Sequence, residues 1–148
     1  MWICTDRLPF AERLIGRRVS WRGFAAGDLT PEDRAVATAL LSGPEWFAGT
    51  IDEEIGWKRL FVAGHAARSQ FDVLASLLEG GVAGDRLLAV AETGSEFHGW
   101  EGRRWVAAPG NLHLVAGSRV DVSAREGGAG ILIAPAIALV DAIDAVPG

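Results

Sequence analysis

Cysteine, lysine and long hydrophobic runs are all scarce in this chain, and each shortage excludes something. One cysteine, Cys4, stands among 148 residues, so neither an intrachain disulfide nor a cysteine-rich zinc site can form. A reducing, cytoplasmic setting is the expectation that follows. The net charge is -5 with no basic block. Phosphate backbones are held by clustered Lys and Arg, so nucleic acid is not an expected partner. The most apolar stretch, Ile131 to Val146, is shorter than a membrane span and is interrupted by Asp141 and Asp144, so no membrane partner is expected either. The opening "MWICTDRLPF" carries charge early and does not read as a signal peptide. No internal repeat or low-complexity tract occurs.

What is present suits one globular domain, with a hydrophobic fraction of 49%. Residues 1–29 give weak signals, with a short helix in "FAERLIG". "LTPEDRAVATALLSGP" is a clear helix: Thr30 as N-cap, Pro31 in the first turn, Glu32 and Asp33 complementing the dipole, and Gly43-Pro44 as the stop. Val36, Ala39 and Leu40 form its apolar face. "EWFAGTIDEEIGW" reads as loop with a short strand. "RLFVAG" reads as a buried strand. "SQFDVLASLLEGG" reads as a helix capped by Ser69, with Asp72 completing a capping box, and with Phe71, Leu74, Leu77 and Leu78 facing a core. "RLLAVAE" and "NLHLVAG" are two more strands, and "GSRVDVSAREGGAG" is a turn-rich stretch that extends the last of them into a hairpin. "ILIAPAIALVDAIDAV" is a buried helix with Pro135 in or just after its first turn and with Ile133, Ile137 and Val140 inward. This order predicts an α/β (α+β) domain, a mixed sheet flanked by helices.

The connection from Thr93 to Gly110 is long for a compact domain, and such connections are functional or disordered. Its glycines, Gly94, Gly99, Gly102 and Gly110, allow close backbone approach. Arg103 and Arg104 offer guanidinium forks for phosphate or carboxylate, and Trp100 and Trp105 offer flat apolar surface. These are the parts of a site for a nucleotide-like anion with an apolar end. The ordinary alternatives stay open: Ser69 as a cap only, Trp105 as core packing, Arg104 as a solvated charge. Glu92, next to the loop, is a further polar candidate. His65 and His113 have no partner spacing for zinc, and His98 has no clear metal role.

The segment resembles the biotin/lipoate–protein ligase family. "AE" at Ala91-Glu92 ends a strand, "FHGWEGRRW" stands where the family has a GRGRxGRxW loop, and "AAPGNL" (Ala107–Leu112) leads into the next strand. Gly99, Gly102, Arg103, Trp105, Pro109, Gly110, Asn111 and Leu112 match without a gap. Ser69 and Asp72 stand in register with the family's helix start. The departures are Gly94 for the family's glutamine, Phe97 for the first glycine of the loop, His98 and Trp100 for two arginines, and Gln70-Phe71 for Thr-Asn.

The resemblance implies the first half of a class II synthetase-like catalytic domain over residues 59–148, incomplete at its C-terminus, after an unassigned region 1–58. It implies a ligase that joins biotin or lipoate to ATP with Mg²⁺, then passes the acyl group to a lysine of a carrier protein. On that reading Ser69, Gly99, Gly102, Arg103, Trp105 and Asn111 bind the acyl-adenylate. Gly99 and Gly102 offer backbone amides, Arg103 neutralises phosphate, Trp105 packs the loop base against the acyl tail, and Asn111 orients the strand end. The family's phosphate-binding lysine has no counterpart, because Lys58 is the chain's one lysine and precedes the loop. Activity alone is therefore uncertain. A non-catalytic binding module, or a subunit completed by a second chain or a homodimer, is the alternative. No resident metal is expected.

Overall fold

The computed structural model describes residues 1–52, 56–119, 124–128 and 130–145. Residues 1–118 form one compact unit and residues 119–148 a second. The first holds a six-stranded mixed sheet. Its strands are β1 (Trp2–Thr5), β2 (Arg22–Phe24), β3 (Trp46–Thr50), β4 (Arg59–Ala66), β5 (Leu87–Gly94) and β6 (His113–Gly117). The spatial order is β2-β3-β1-β4-β5-β6. β1, β4 and β5 run parallel, while β3 and β6 pair antiparallel to their neighbours and β2 runs antiparallel to β3. Its helices are α1 (Leu8–Ile15), α2 (Pro31–Leu40) and α3 (Gln70–Glu79).

The mixed α/β class matches the expectation, and so do the strands read near 59–64, 86–92 and 111–117. Residues 1–58 supply three strands and two helices of this same sheet unit. The boundary expected at 58/59 therefore falls between β3 and β4, which flank β1 in one continuous sheet.

The central strands are buried on both faces because helices cover both. On one face Cys4, Phe61, Ala63, Leu87, Ala89 and Ala91 pack with Val36, Ala37 and Leu40 of α2 and Val73 and Leu74 of α3. On the other, Ile3, Leu60, Val62 and Val90 pack with Ala11 of α1. Asp6 clamps the strand ends. One carboxylate oxygen accepts from the N–H groups of Ser42 (2.8 Å) and Gly43 (2.7 Å), and the other from Gly64 N–H (2.8 Å). Arg59, at the start of β4, bonds Asp33 (2.9 Å) and Glu32 of α2.

Local readings divide. Thr30 caps α2 as expected, accepting from Asp33 N–H at 3.1 Å. Ala39 is exposed, however, and Ala37 takes its place inside. Ser69 occupies the N-cap position of α3, yet its side chain makes no capping bond. The inward face of α3 is Gln70, Val73 and Leu74, with Leu77 and Leu78 half-buried. Phe71, expected inside, is 65% exposed.

In the second unit α4 (Ala124–Gly127) is helical where a hairpin was expected, and residues 120–123 of that stretch lie outside the described residues. α5 (Gly130–Asp144) is the expected terminal helix, with Pro135 as its sixth residue, beyond the first turn. Its reading as a buried helix is corrected: Ile133, Ile137 and Val140 are exposed. No described helix is long and apolar enough to cross a membrane.

Candidate functional site

Residues 94–110 form no long regular element. Ladder contacts pair Gly94 with Ala107 and His98 with Arg104, so the segment folds back on itself beside the end of β5. Trp105 N–H donates to the Phe97 carbonyl at 2.8 Å, and Gly94 N–H to the Ala107 carbonyl at 3.2 Å. A single 3₁₀ turn, Trp100–Gly102, makes the tip, with Glu101 at φ 60° and Gly102 at φ 71°. That left-handed pair is where glycine is needed. The expectation for the Trp100 ring falls outside the described side chains.

The roles given to Gly99 and Gly102 change. Gly99 N–H donates to the Arg103 carbonyl at 2.8 Å, and Gly102 N–H to the Gly99 carbonyl at 3.3 Å. Both amides close the turn, which leaves neither facing a ligand. Gly99 is small for another reason: a Cβ there would come within 2.8 Å of the Trp105 indole. Gly94 likewise has no room for a side chain, since a Cβ would lie 2.7 Å from Phe97 Cζ. Gly94 and Phe97 are thus complementary in volume, the ring filling the space that a side chain at 94 would take. Phe97 packs on the main core and meets His113 edge-on at 5.3 Å between ring centres.

Below the folded-back loop is a cavity of about 150 Å³. Its walls include Ser69, Gln70, Phe97, Trp105, Leu112 and Val115. The structure thus brings Ser69 and Trp105 together. Trp105 is 65% exposed, so it is a rim and not part of the core. Arg103 does not line this cavity. It is exposed and lies 3.5 Å from Glu101. Asn111 is also exposed, and its N–H closes a turn on the Ala108 carbonyl at 3.3 Å. β6 starts only at His113, so Asn111 precedes the strand instead of opening it. Glu92 points elsewhere, to Arg13 (2.6 Å) and Arg7 (3.6 Å), tying α1 to β5.

Gln70 is the residue that sequence reasoning missed. It is 2% exposed, and neither its side-chain nitrogen nor its oxygen has a hydrogen-bond partner among the described residues. An unpaired buried amide is costly, so native structures hold few. The only advance signal was its position beside Ser69.

His98 Nε2 sits 2.7 Å from Asp72 Oδ2, joining the loop to α3. Asp72 therefore serves the loop and not a capping box. Asp72, with a smaller contribution from the Gly99 carbonyl, raises the His98 pKa above the ordinary 6.5. A raised folded pKa means that this link stabilises the loop below pH 6.5 and fades as the pH rises through the raised value. Ring-proton NMR titration should place His98 above 6.5, and Asp72→Asn should return it toward 6.5. The Cys4 thiol, buried in the core, is pushed up to about 12 and is no nucleophile. Among the described residues no group of His, Cys, Asp and Glu is placed to hold a metal ion.

No family model, curated protein or solved structure matches this chain.

Proposed function

We propose that this chain binds a small ring-bearing carboxylic acid of the biotin or lipoate class, as its acyl-adenylate, in the cavity between α3, the folded-back loop and β6. The buried, unpaired amide of Gln70 carries this reading. A carboxamide offers a donor and an acceptor side by side. A ureido or amide group offers the complement, and the apolar walls suit a hydrocarbon tail. Arg103 and Arg104, exposed on the loop, are available to adenylate phosphate. The sequence resemblance to biotin/lipoate ligases supports the same ligand class. In that chemistry ATP with Mg²⁺ would form the adenylate, and a carrier-protein lysine would accept the acyl group.

Electrostatics favour binding over independent catalysis. Lys58 precedes β4, whereas the loop follows β5. These strands are parallel and eight residues long, which puts the lysine roughly 23 Å from the loop end of the sheet. ATP alone should therefore bind poorly.

Calorimetry with a non-hydrolysable biotinyl- or lipoyl-adenylate tests the proposal. Arg103→Ala should weaken binding by about 1.5–3 kcal/mol, the scale of a lost charge-assisted hydrogen bond, with stability unchanged. Trp105→Ala should also weaken binding. Its effect on stability should stay below about 1 kcal/mol, because the ring is mostly exposed. No binding of either adenylate by the folded wild type would refute the reading.

A further inference from the structure

A second cluster lies at the C-terminal ends of β4 and β5. His65 Nδ1 is 3.0 Å from Thr93 Oγ1, and His65 Nε2 is 3.0 Å from Ser95 Oγ. Thr93 Oγ1 also donates to the Gly64 carbonyl at 3.0 Å. A hydroxyl has one proton. Since Thr93 directs its proton to Gly64, it accepts from His65, and Nδ1 must carry the hydrogen. In the neutral ring Nε2 then holds a lone pair, and Ser95 Oγ–H donates to it. This is the relation by which a histidine activates a serine, with a third group fixing the tautomer.

The surroundings support more than chance contact. β4 and β5 are adjacent parallel strands, and open α/β sheets place their ligands beyond the carboxyl ends of such strands. Ser95 N–H donates to the Ala66 carbonyl at 2.8 Å, which holds the serine against the end of β4. His65 and Ser95 are both exposed, so a substrate can reach them. An open cleft of about 600 Å³, lined by Asp6, Arg7, His65 and Thr93, adjoins the histidine. Arg7 in that cleft is paired with Glu92, which also lines it, at 3.6 Å.

We propose that Ser95 is a nucleophile, activated by His65 and held in register through Thr93, that cleaves activated esters or thioesters of small carboxylic acids. Ser95 Oγ bonds to the acyl carbon while its proton passes to His65 Nε2. The bond from the acyl carbon to the leaving oxygen or sulfur breaks, and the leaving group takes that proton. Water then adds to the acyl-serine and gives a proton to Nε2. The Oγ–acyl bond breaks, Ser95 recovers the proton, and the free acid departs. Water is the sole co-reactant. Thr93 is a positioning residue. The proposal is independent of the adenylate cavity, whose walls include none of these three residues.

The test is labelling of the full chain by a fluorophosphonate, with peptide mapping of the adduct, beside the hydrolysis of p-nitrophenyl acetate. The wild type should carry one adduct, on Ser95, and Ser95→Ala should carry none. His65→Gln should slow labelling by about 10²–10⁴-fold, the range for loss of a general base. Thr93→Val should slow it less, and Thr93→Ser should restore it, which a purely structural role would not require. Thermal unfolding shows that each variant is folded. Should His65→Gln unfold, Ser95→Ala and the mapped adduct still decide. Wild-type labelling no faster than that of Ser95→Ala, or an adduct on another residue, would overturn the proposal.

Discussion

Gln70→Met should make the free protein more stable and remove its binding of a biotinyl-adenylate. The two effects have one cause. Gln70 is 2% exposed with both side-chain polar atoms unpaired among the described residues. A buried polar group without a partner costs about 1–3 kcal/mol. Methionine has a similar volume and shape, so packing changes little. Chemical denaturation should show a gain of roughly 1–3 kcal/mol with an unchanged denaturant dependence. Binding of the biotinyl-adenylate should fall, because the group that would meet its ureido N–H and C=O is gone. A site that destabilises its own fold for the sake of a ligand is a known trade-off. Gln70→Met with lower stability would mean that the amide has a partner in the free protein.

A fragment of residues 59–148 should fail to fold. β4 would lose β1, its parallel neighbour along Trp2–Thr5, and with it the whole β1–β3–β2 half of the sheet. The cluster around Phe61 would also lose Val36, Ala37 and Leu40 of α2. Uncovering three such side chains costs several kcal/mol on the scale of about 25 cal/mol per Å² of apolar area, comparable to the whole stability of a small domain. Asp6 adds to this, since its carboxylate ties β4 to the α2–β3 connection through three N–H groups. The fragment's amide NMR spectrum should be collapsed and its unfolding non-cooperative. A dispersed spectrum would show that residues 59–148 are a domain of their own.

The elements legible in the sequence were those with a period or a cap. α2 announced itself through Thr30-Pro31, and β4 and β5 through apolar runs between turn residues. β1 was illegible because "WICT" is four residues long and central. A short strand buried among neighbours has no polar alternation to display. β2, three residues long, was equally silent. α3 was found, but its face was set by apolarity, which put Phe71 inside and gave Gln70 no place in the core. Tertiary packing chose the reverse, because Gln70, Val73 and Leu74 share one side of the helix. Loop composition singled out a segment that walls a cavity with α3 and β6, yet not which of its groups face that cavity. Backbone amides of glycines are consumed by turns as readily as they are offered to ligands, as at Gly99 and Gly102. The His65–Thr93–Ser95 cluster was invisible because sheet register, not sequence spacing, brings His65 opposite Thr93.

The most direct measurement is the side-chain amide region of a ¹⁵N–¹H NMR spectrum, recorded with and without a non-hydrolysable biotinyl-adenylate. Gln70 is the chain's one glutamine and Asn111 its one asparagine, so only two side-chain NH₂ pairs occur. The account predicts that the Gln70 pair shifts downfield on ligand addition as its protons gain an acceptor, while the exposed Asn111 pair moves little. An unmoved Gln70 pair under saturating ligand would contradict it.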